Sequence, residues 1–212
     1  MVYTTKSIVE EFNAYTGYTQ SDEITIYLPA LENPTFKHIY NGRVQKISSL
    51  MAAFASIKFN EKLQELAKKD KEEKGESILV EKLFKGYLDA RTYGVDSEDE
   101  VVNSFLWRVR DAERNSKNAF AHYIVKQRDR GGMANPLHKK SSNEQIAFIQ
   151  KVFKIDWNEL EDVYKYGTFV KREKYWKDTE FGKVERSRVE SFSIQEKDFQ
   201  SIKEMVLPKY IS

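Results

Sequence analysis

The stretch Tyr15-Thr-Gly-Tyr-Thr-Gln-Ser-Asp-Glu-Ile-Thr-Ile-Tyr-Leu28 reads as two strands around a polar turn. Ile24, Ile26 and Leu28 alternate with Thr25 and Tyr27, the period of a half-buried strand, and Tyr15 to Tyr18 supplies its partner. Between them, Gln20-Ser21-Asp22-Glu23 puts an acidic cluster at the tip of a hairpin. Lys6 to Phe12 precedes it with helical character. After it, Asn33, Pro34, Asn41 and Gly42 mark a loop. Val44, Ile47, Leu50, Met51, Phe54 and Ile57 then recur at helical spacing toward an expected stop at Asn60. The balanced charge run Lys68 to Glu76 is expected to be a solvated helix end or a loop.

Further along, Ser97 and Glu100 have the form of a capping box. Val102, Phe105, Val109, Ala112, Ala119 and Phe120 trace the buried side of the long helix that follows. Its other side carries Arg108, Asp111, Asn115, Asn118 and His122, spaced by three and four, so one stripe presents a cation, a carboxylate, two amides and an imidazole. Ser142 with Gln145 and Asp156 with Glu159 suggest two more helix starts, the second helix ending at Gly167.

The 212 residues carry 35 Lys and Arg against 33 Asp and Glu, and 40% are hydrophobic, enough for a sizeable core in one domain or one domain with an appendage. With no Cys, disulfide scaffolds, thiol nucleophiles and Cys-ligated zinc are excluded. His38, His122 and His138 lack metal-site spacing, which leaves oxygen ligands for any cation. No stretch has the length and apolarity of a membrane span and no leader pattern opens the chain, so no membrane partner and a cytoplasmic location are expected. Neither GxGxxG nor a phosphate-loop pattern occurs. Two local patches are basic: Lys126, Arg128, Arg130, Lys139 and Lys140, and a stretch from Lys165 to Arg188 that interleaves Lys171, Arg172, Lys174 and Lys177 with Tyr166, Phe169, Tyr175 and Trp176. Cations meet phosphates and rings stack on bases, so these patches suit RNA, although a solvated surface has the same composition.

Tyr18-Thr19-Gln20-Ser21-Asp22-Glu23-Ile24, then Arg43-x-x-Lys46-Ile47 leading into Ala53-Phe54-Ala55-Ser56, then Asp89-Ala90-Arg91 and Trp107-Arg108-x-x-Asp111-Ala112-x-Arg114-Asn115 together resemble the tRNA-His guanylyltransferase family. Leu137-His138-Lys139-Lys140-Ser141 and Tyr166-Gly167-Thr168 resemble its bacterial and phage-type guanylyltransferase-like members. The resemblance implies an α+β fold, a ferredoxin-like polymerase palm (residues 1–125), followed by a basic, helical C-terminal extension (residues 126–212) that contacts tRNA. It implies a 3′-to-5′ nucleotidyltransferase that adds nucleotides to the 5′ end of tRNA, by tRNA-His guanylylation or 5′-end repair. The substrates are ATP and GTP, two Mg²⁺ ions assist, and the assembly is a homo-oligomer, tetrameric in family members.

Carried over by position, Asp22 is the metal ligand and, with Glu23, the catalytic pair; Ser21, Arg43 and Lys46 bind nucleotide; Arg108, Asp111, Asn115, Lys139, Lys140, Lys171 and Arg172 bind RNA. Two cations one helical turn apart can hold adjacent phosphates. Two departures matter. Glu113 and Ser116 stand where eukaryotic members have the His and second Asn of His-Ile-Asn-Asn, which fits template-directed repair better than anticodon reading. No Asp-Gly-x-x-Phe strand precedes the first helix, so the palm is expected to lack its first, central strand and a second metal carboxylate. The expectation is then either an enzyme completed by a segment or polypeptide carrying that strand, or an inactive or partner-dependent tRNA-binding module.

Overall fold

The structure is a computed structural model that describes residues 1–28, 38–128, 136–180, 182–194 and 197–207. Helix α1 (Val2–Glu11) leads into β1 (Thr16–Gln20) and β2 (Glu23–Tyr27), after which come α2 (Val44–Lys74), α3 (Glu98–Arg128), α4 (Ser142–Phe153), the short α5 (Asp162–Tyr166), β3 (Thr168–Thr179), β4 (Gly182–Ser193) and α6 (Phe199–Val206). The four strands form an antiparallel sheet in the order β2-β1-β3-β4. Thr16 pairs with Tyr27 on one side and with Lys171 on the other, and Gln20 with Glu23 closes the first hairpin.

Because strand side chains alternate, each face of this sheet finds its own cover. Tyr18 and Phe169 point to the face carried by α3 and α6, where they pack with Val102, Phe105, Val109, Ile202 and Val206. The rings of Phe105 and Phe169 stack 5.9 Å apart. Val170 and Ile26 point the other way, onto Val9 of α1. Gly17 makes that approach possible: a Cβ there would lie 2.6 Å from Thr5 Cγ2 and 3.1 Å from Val9 Cγ2. Helix α2 covers the outside of α1 through Ala55, Phe54 and Met51 against Ile8 and Phe12. The layers therefore run α2, α1, sheet, then α3 with α6, and the second half of α3 packs on α4 through Ala121, Ile124 and Ile149.

The palm-like mixture of helices and a small antiparallel sheet agrees with the sequence reading, and several boundaries differ from it. The expected division after residue 125 falls inside α3, and the sheet and main core draw on residues from both sides of it. Helix α2 does not stop at Asn60. It runs on through the charge run, held by pairs such as Lys68–Glu72 and Asp70–Lys74, to a left-handed Gly75. The Asn60 amide instead clips a distant loop, donating to Gly86 O at 2.7 Å and accepting from Gly86 N at 3.2 Å. The capping box of α4 lies one residue earlier than read, on Ser141 and Glu144. Asp156 starts only a short 3₁₀ turn, and α5 begins after Glu161. The basic, aromatic stretch from Lys165 to Arg188 is largely a long hairpin. Asn33, Pro34 and Arg130 lie outside the described residues. The outer edge of β2 carries no strand among the described residues. No described helix is long and apolar enough to cross a membrane.

Candidate active site

The turn that joins β1 to β2 is as short as an antiparallel hairpin allows, with Ser21 and Asp22 between the paired Gln20 and Glu23. Ser21 adopts the left-handed region at φ 54°, and Thr19 Oγ1 donates to Glu23 O at 2.8 Å, which fixes the strand ends. Asp22 thus sits at an exposed tip and Glu23 opens β2. Helix α3 runs past this tip. Arg108 Nη1 donates to Glu23 Oε2 at 2.9 Å, tying helix to turn across 85 residues of sequence. Both partners are well exposed, so the pair adds little stability; it sets position.

Below the turn lies a cavity of about 890 Å³ lined by Gln20, Ser21, Asp22, Glu23 and Thr25 from the hairpin and by Arg108, Asp111, Asn115 and Ser116 from α3. Phe120, Tyr123, Leu160 and Tyr164 close its far end, and Tyr18 contributes to the wall. One end is therefore ionic and the other aromatic. The Asp111 carboxylate is held by Arg114 and by Asn115 Nδ2 at 3.0 Å. Tyr18 Oη donates to Tyr166 O at 2.7 Å; burial, then the charges of Asp111 and Glu23, push its phenol well above the usual range, with Arg108 opposing. Trp157 Nε1 donates to Ser116 Oγ at 3.1 Å, so the α3 wall is braced from behind.

Glu113, the residue at the expected His position, turns into a cationic cluster instead of the cavity. It accepts from Lys117 at 2.9 Å and Lys197 at 2.8 Å, whose ammonium groups lie over the rings of Trp157 and Tyr166. Burial works to raise its pKa, and the hydrogen bonds from Lys197 and Lys117 more than offset that, holding the carboxyl below the usual value.

Ser21, Asp22, Glu23, Arg108, Asp111 and Asn115 thus come together in one cavity. Arg43 and Lys46 do not line it; both are exposed at the start of α2, with Lys46 Nζ 5.1 Å from the Tyr40 ring. Lys139 and Lys140 are exposed ahead of α4, where Lys140 Nζ donates to Pro136 O at 2.7 Å. Lys171 is a correction to the expected RNA surface. It is 5% exposed, and its ammonium donates to the carbonyls of Glu204 and Leu207 at 2.6 Å each, so it anchors the end of α6. Arg172 is half-buried and donates to Val9 O and Glu10 O, serving the last turn of α1.

Sequence reasoning missed Tyr123 and Tyr164. On α3 the lining steps by four, from Asp111 to Asn115, Ala119 and Tyr123, and so winds across the helix surface toward Leu160 and Tyr164, leaving Asn118 and His122 beside it.

The carboxylates present do not make the two-cation centre that the resemblance implies. Among the described residues no three His, Asp or Glu side chains gather as a metal site. Glu23 is engaged by Arg108 and Asp111 by Arg114 and Asn115, which leaves Asp22 without an ion pair or hydrogen bond among the described residues.

Residues 1–92 match the family model for tRNA-His guanylyltransferase (Thg1). An uncharacterized protein, R259, of Acanthamoeba polyphaga mimivirus is 29% identical over 209 residues, covering 92% of this chain and 68% of its own length. A bacterial Thg1-like protein solved in complex with ATP shares 26% identity at a TM-score of 0.68, over 96% of this chain and 76% of that one. The same kind of protein in complex with GTP gives 26% identity and a TM-score of 0.64, over 96% and 74%. The enzyme from Saccharomyces cerevisiae, at 17% identity and a TM-score of 0.60 over 80% and 71%, shares the fold. Residues 1–92 thus match the tRNA-His guanylyltransferase family, and over 96% of the chain the fold is similar to that of bacterial Thg1-like proteins.

Proposed function

We propose that the chain is a 3′-to-5′ nucleotidyltransferase that uses ATP and GTP to extend the 5′ end of tRNA. The observation that carries this reading is the single cavity in which the Asp22 turn faces Arg108, Asp111 and Asn115 of α3 and ends in Tyr123 and Tyr164. An ionic end with an aromatic end matches the two chemistries of a nucleotide, a charged phosphate chain and a flat base. The likeness to bacterial Thg1-like proteins in complex with ATP and with GTP supports the same choice of ligand.

In this reading the reacting 5′ phosphate and the triphosphate meet at the ionic end. The Arg108 guanidinium, held in place by Glu23, offsets phosphate charge. Asn115 offers an amide to the RNA or to a base. Arg43 and Lys46 reach a triphosphate from outside the cavity, and Lys139 and Lys140 lie along the tRNA. Glu113, tied up by two lysines, cannot serve as an imidazole would, which favours repair of shortened 5′ ends over reading of an anticodon. Of the described carboxylates that line the cavity, Asp22 is the one left for a cation, and no step is assigned to a pair of metals.

The test is incubation of a tRNA lacking its first nucleotide, 5′-phosphorylated, with ATP, labelled GTP and Mg²⁺. The expected product is the tRNA longer by one or more labelled nucleotides, lost in Asp22→Ala. Tight binding of tRNA and nucleotide without any transfer would remove the enzyme and leave a binding module.

A further inference from the structure

A second hollow, of about 480 Å³, lies beside the first, between the segment that carries Tyr93 and Val95 and the opening turns of α3. Its walls are two large rings turned to solvent, Tyr93 at 68% exposure and Trp107 at 59%. Arg108 lines both hollows, so one face of α3 runs from Asn103 and Trp107 directly into Asp111 and Asn115 of the main cavity. Four residues of α-helix separate Trp107 from Asp111, about 6 Å along the axis, which is the scale of one step between neighbouring nucleotides in a splayed strand.

Charge decides which part of a nucleotide fits. Glu100 sits on the rim with its carboxylate accepting the Asp96 N–H at 3.0 Å, and a phosphate there would face an anion. Ser104 Oγ is committed to Glu100 O at 2.9 Å, leaving the exposed Asn103 amide as the group with a donor and an acceptor for a base edge. The Arg108 guanidinium lies over Trp107, 5.1 Å from the ring centroid, and covers one side of the indole. The groove therefore offers a flat ring, an amide and no anion-binding group apart from the shared arginine.

Resting on the nucleotidyltransferase reading of the main cavity, we infer that this groove holds an unpaired base of the RNA, stacked on Trp107 next to Tyr93, while the strand's 5′ end occupies the main cavity. The same contact orients the RNA end toward the Asp22 turn, because Arg108 joins the two sites.

Fluorescence reads this directly. Trp157 is 3% exposed, so in a Trp176→Phe chain Trp107 is the exposed indole. A 5′-phosphorylated trinucleotide of adenylate is titrated in, and ATP in a parallel series. The trinucleotide is expected to quench Trp107 and ATP alone is not. Trp107→Leu is expected to weaken trinucleotide binding about 5- to 150-fold with ATP affinity unchanged. Tyr93→Leu serves as a second variant, and a melting temperature equal to that of the parent chain certifies the fold of each. Equal trinucleotide affinity in Trp107→Leu and its parent overturns the inference, and so does equal quenching by ATP, which would make the groove a mononucleotide site. ATP affinity and label transfer read the main cavity without Trp107. A chain that binds the trinucleotide through Trp107 yet neither binds ATP nor transfers label refutes the enzyme reading and supports the groove.

Discussion

Replacing Lys171 by Met separates a structural lysine from an RNA-binding one. Thr16 and Lys171 are register partners across β1 and β3, and both reach the C-terminal end of α6: Thr16 Oγ1 donates to Val206 O at 2.7 Å, and Lys171 Nζ to Glu204 O and Leu207 O at 2.6 Å. The last carbonyls of a helix have no partner within it, and here they are buried and satisfied by a cation. Lys171→Met keeps the aliphatic stem and strands two carbonyls, each costing about 1–3 kcal/mol. Relief of the buried ammonium's own desolvation offsets part of this, leaving a loss of about 2–4 kcal/mol. For a chain of this size that is a fall of about 5–15 °C in melting temperature. The assay is thermal and urea unfolding followed by circular dichroism, run beside a titration of tRNA against salt. The slope of log affinity against log salt is expected to match the parent chain in Lys171→Met and to become shallower in the double variant Lys139→Ala, Lys140→Ala, because released counterions count phosphate contacts. A Lys171→Met chain of unchanged stability with a shallower slope refutes the burial argument and returns Lys171 to the RNA surface.

Arg43→Ala and Lys46→Ala are expected to weaken triphosphate binding by about 10- to 150-fold each, from charge-assisted contacts of about 1.5–3 kcal/mol, with a smaller effect on tRNA; isothermal titration with each ligand checks this. The lowered pKa of Glu113 adds stability above its unfolded value near 4.3, and that stability is lost as pH falls through the lower folded value. Glu113→Gln is therefore expected to melt lower at pH 7 and to flatten the loss of stability below about pH 4.5, measured as melting temperature against pH. Gly17→Ala places a methyl 2.6 Å from Thr5 Cγ2, so α1 has to shift, and urea unfolding is expected to give a loss of about 1–3 kcal/mol.

The first hairpin was legible because β2 is partly exposed and alternates Ile24 and Ile26 with Thr25 and Tyr27, while β1, buried at four of its five positions, was found as the partner across the Ser21-Asp22 turn. The outer parts of β3 and β4 are exposed on both faces, mix charges with rings and small residues without alternation, and so give no period to read. Asn60 has the chemistry of a helix stop and is used as a tertiary clip on Gly86, a contact 26 residues away that no local rule contains. The same holds for Lys171, whose ammonium looks like its exposed neighbours in sequence and finds its acceptors 33 and 36 residues on. At the site, the turn residues and the α3 stripe were each readable. That they face one another depends on α3 packing over Tyr18 and Phe169. The aromatic end was not readable, because Tyr123 lies off the stripe that starts at Arg108 and Asp111, and Tyr164 comes from a separate helix.

The β3–β4 hairpin is anchored unevenly. Pairing with β1 covers Thr168 to Lys171, whereas the two long strands pair with each other out to Thr179 and Gly182. From Lys174 outward nearly every described residue is exposed, so roughly 20 Å of two-stranded ribbon stands on its own hydrogen bonds. A lone ribbon of that kind is barely stable in water. Amide exchange will therefore be graded along it: the rungs beside Tyr18 open with the whole core, and those near Trp176 open by themselves, many times per global unfolding event. Losing or regaining the order of the outer ribbon costs the rest of the molecule almost nothing, so the arm can adapt its shape to a surface while the Asp22 turn, at the Thr168 end of the β1–β3 ladder and opposite to the end from which the ribbon extends, keeps its geometry.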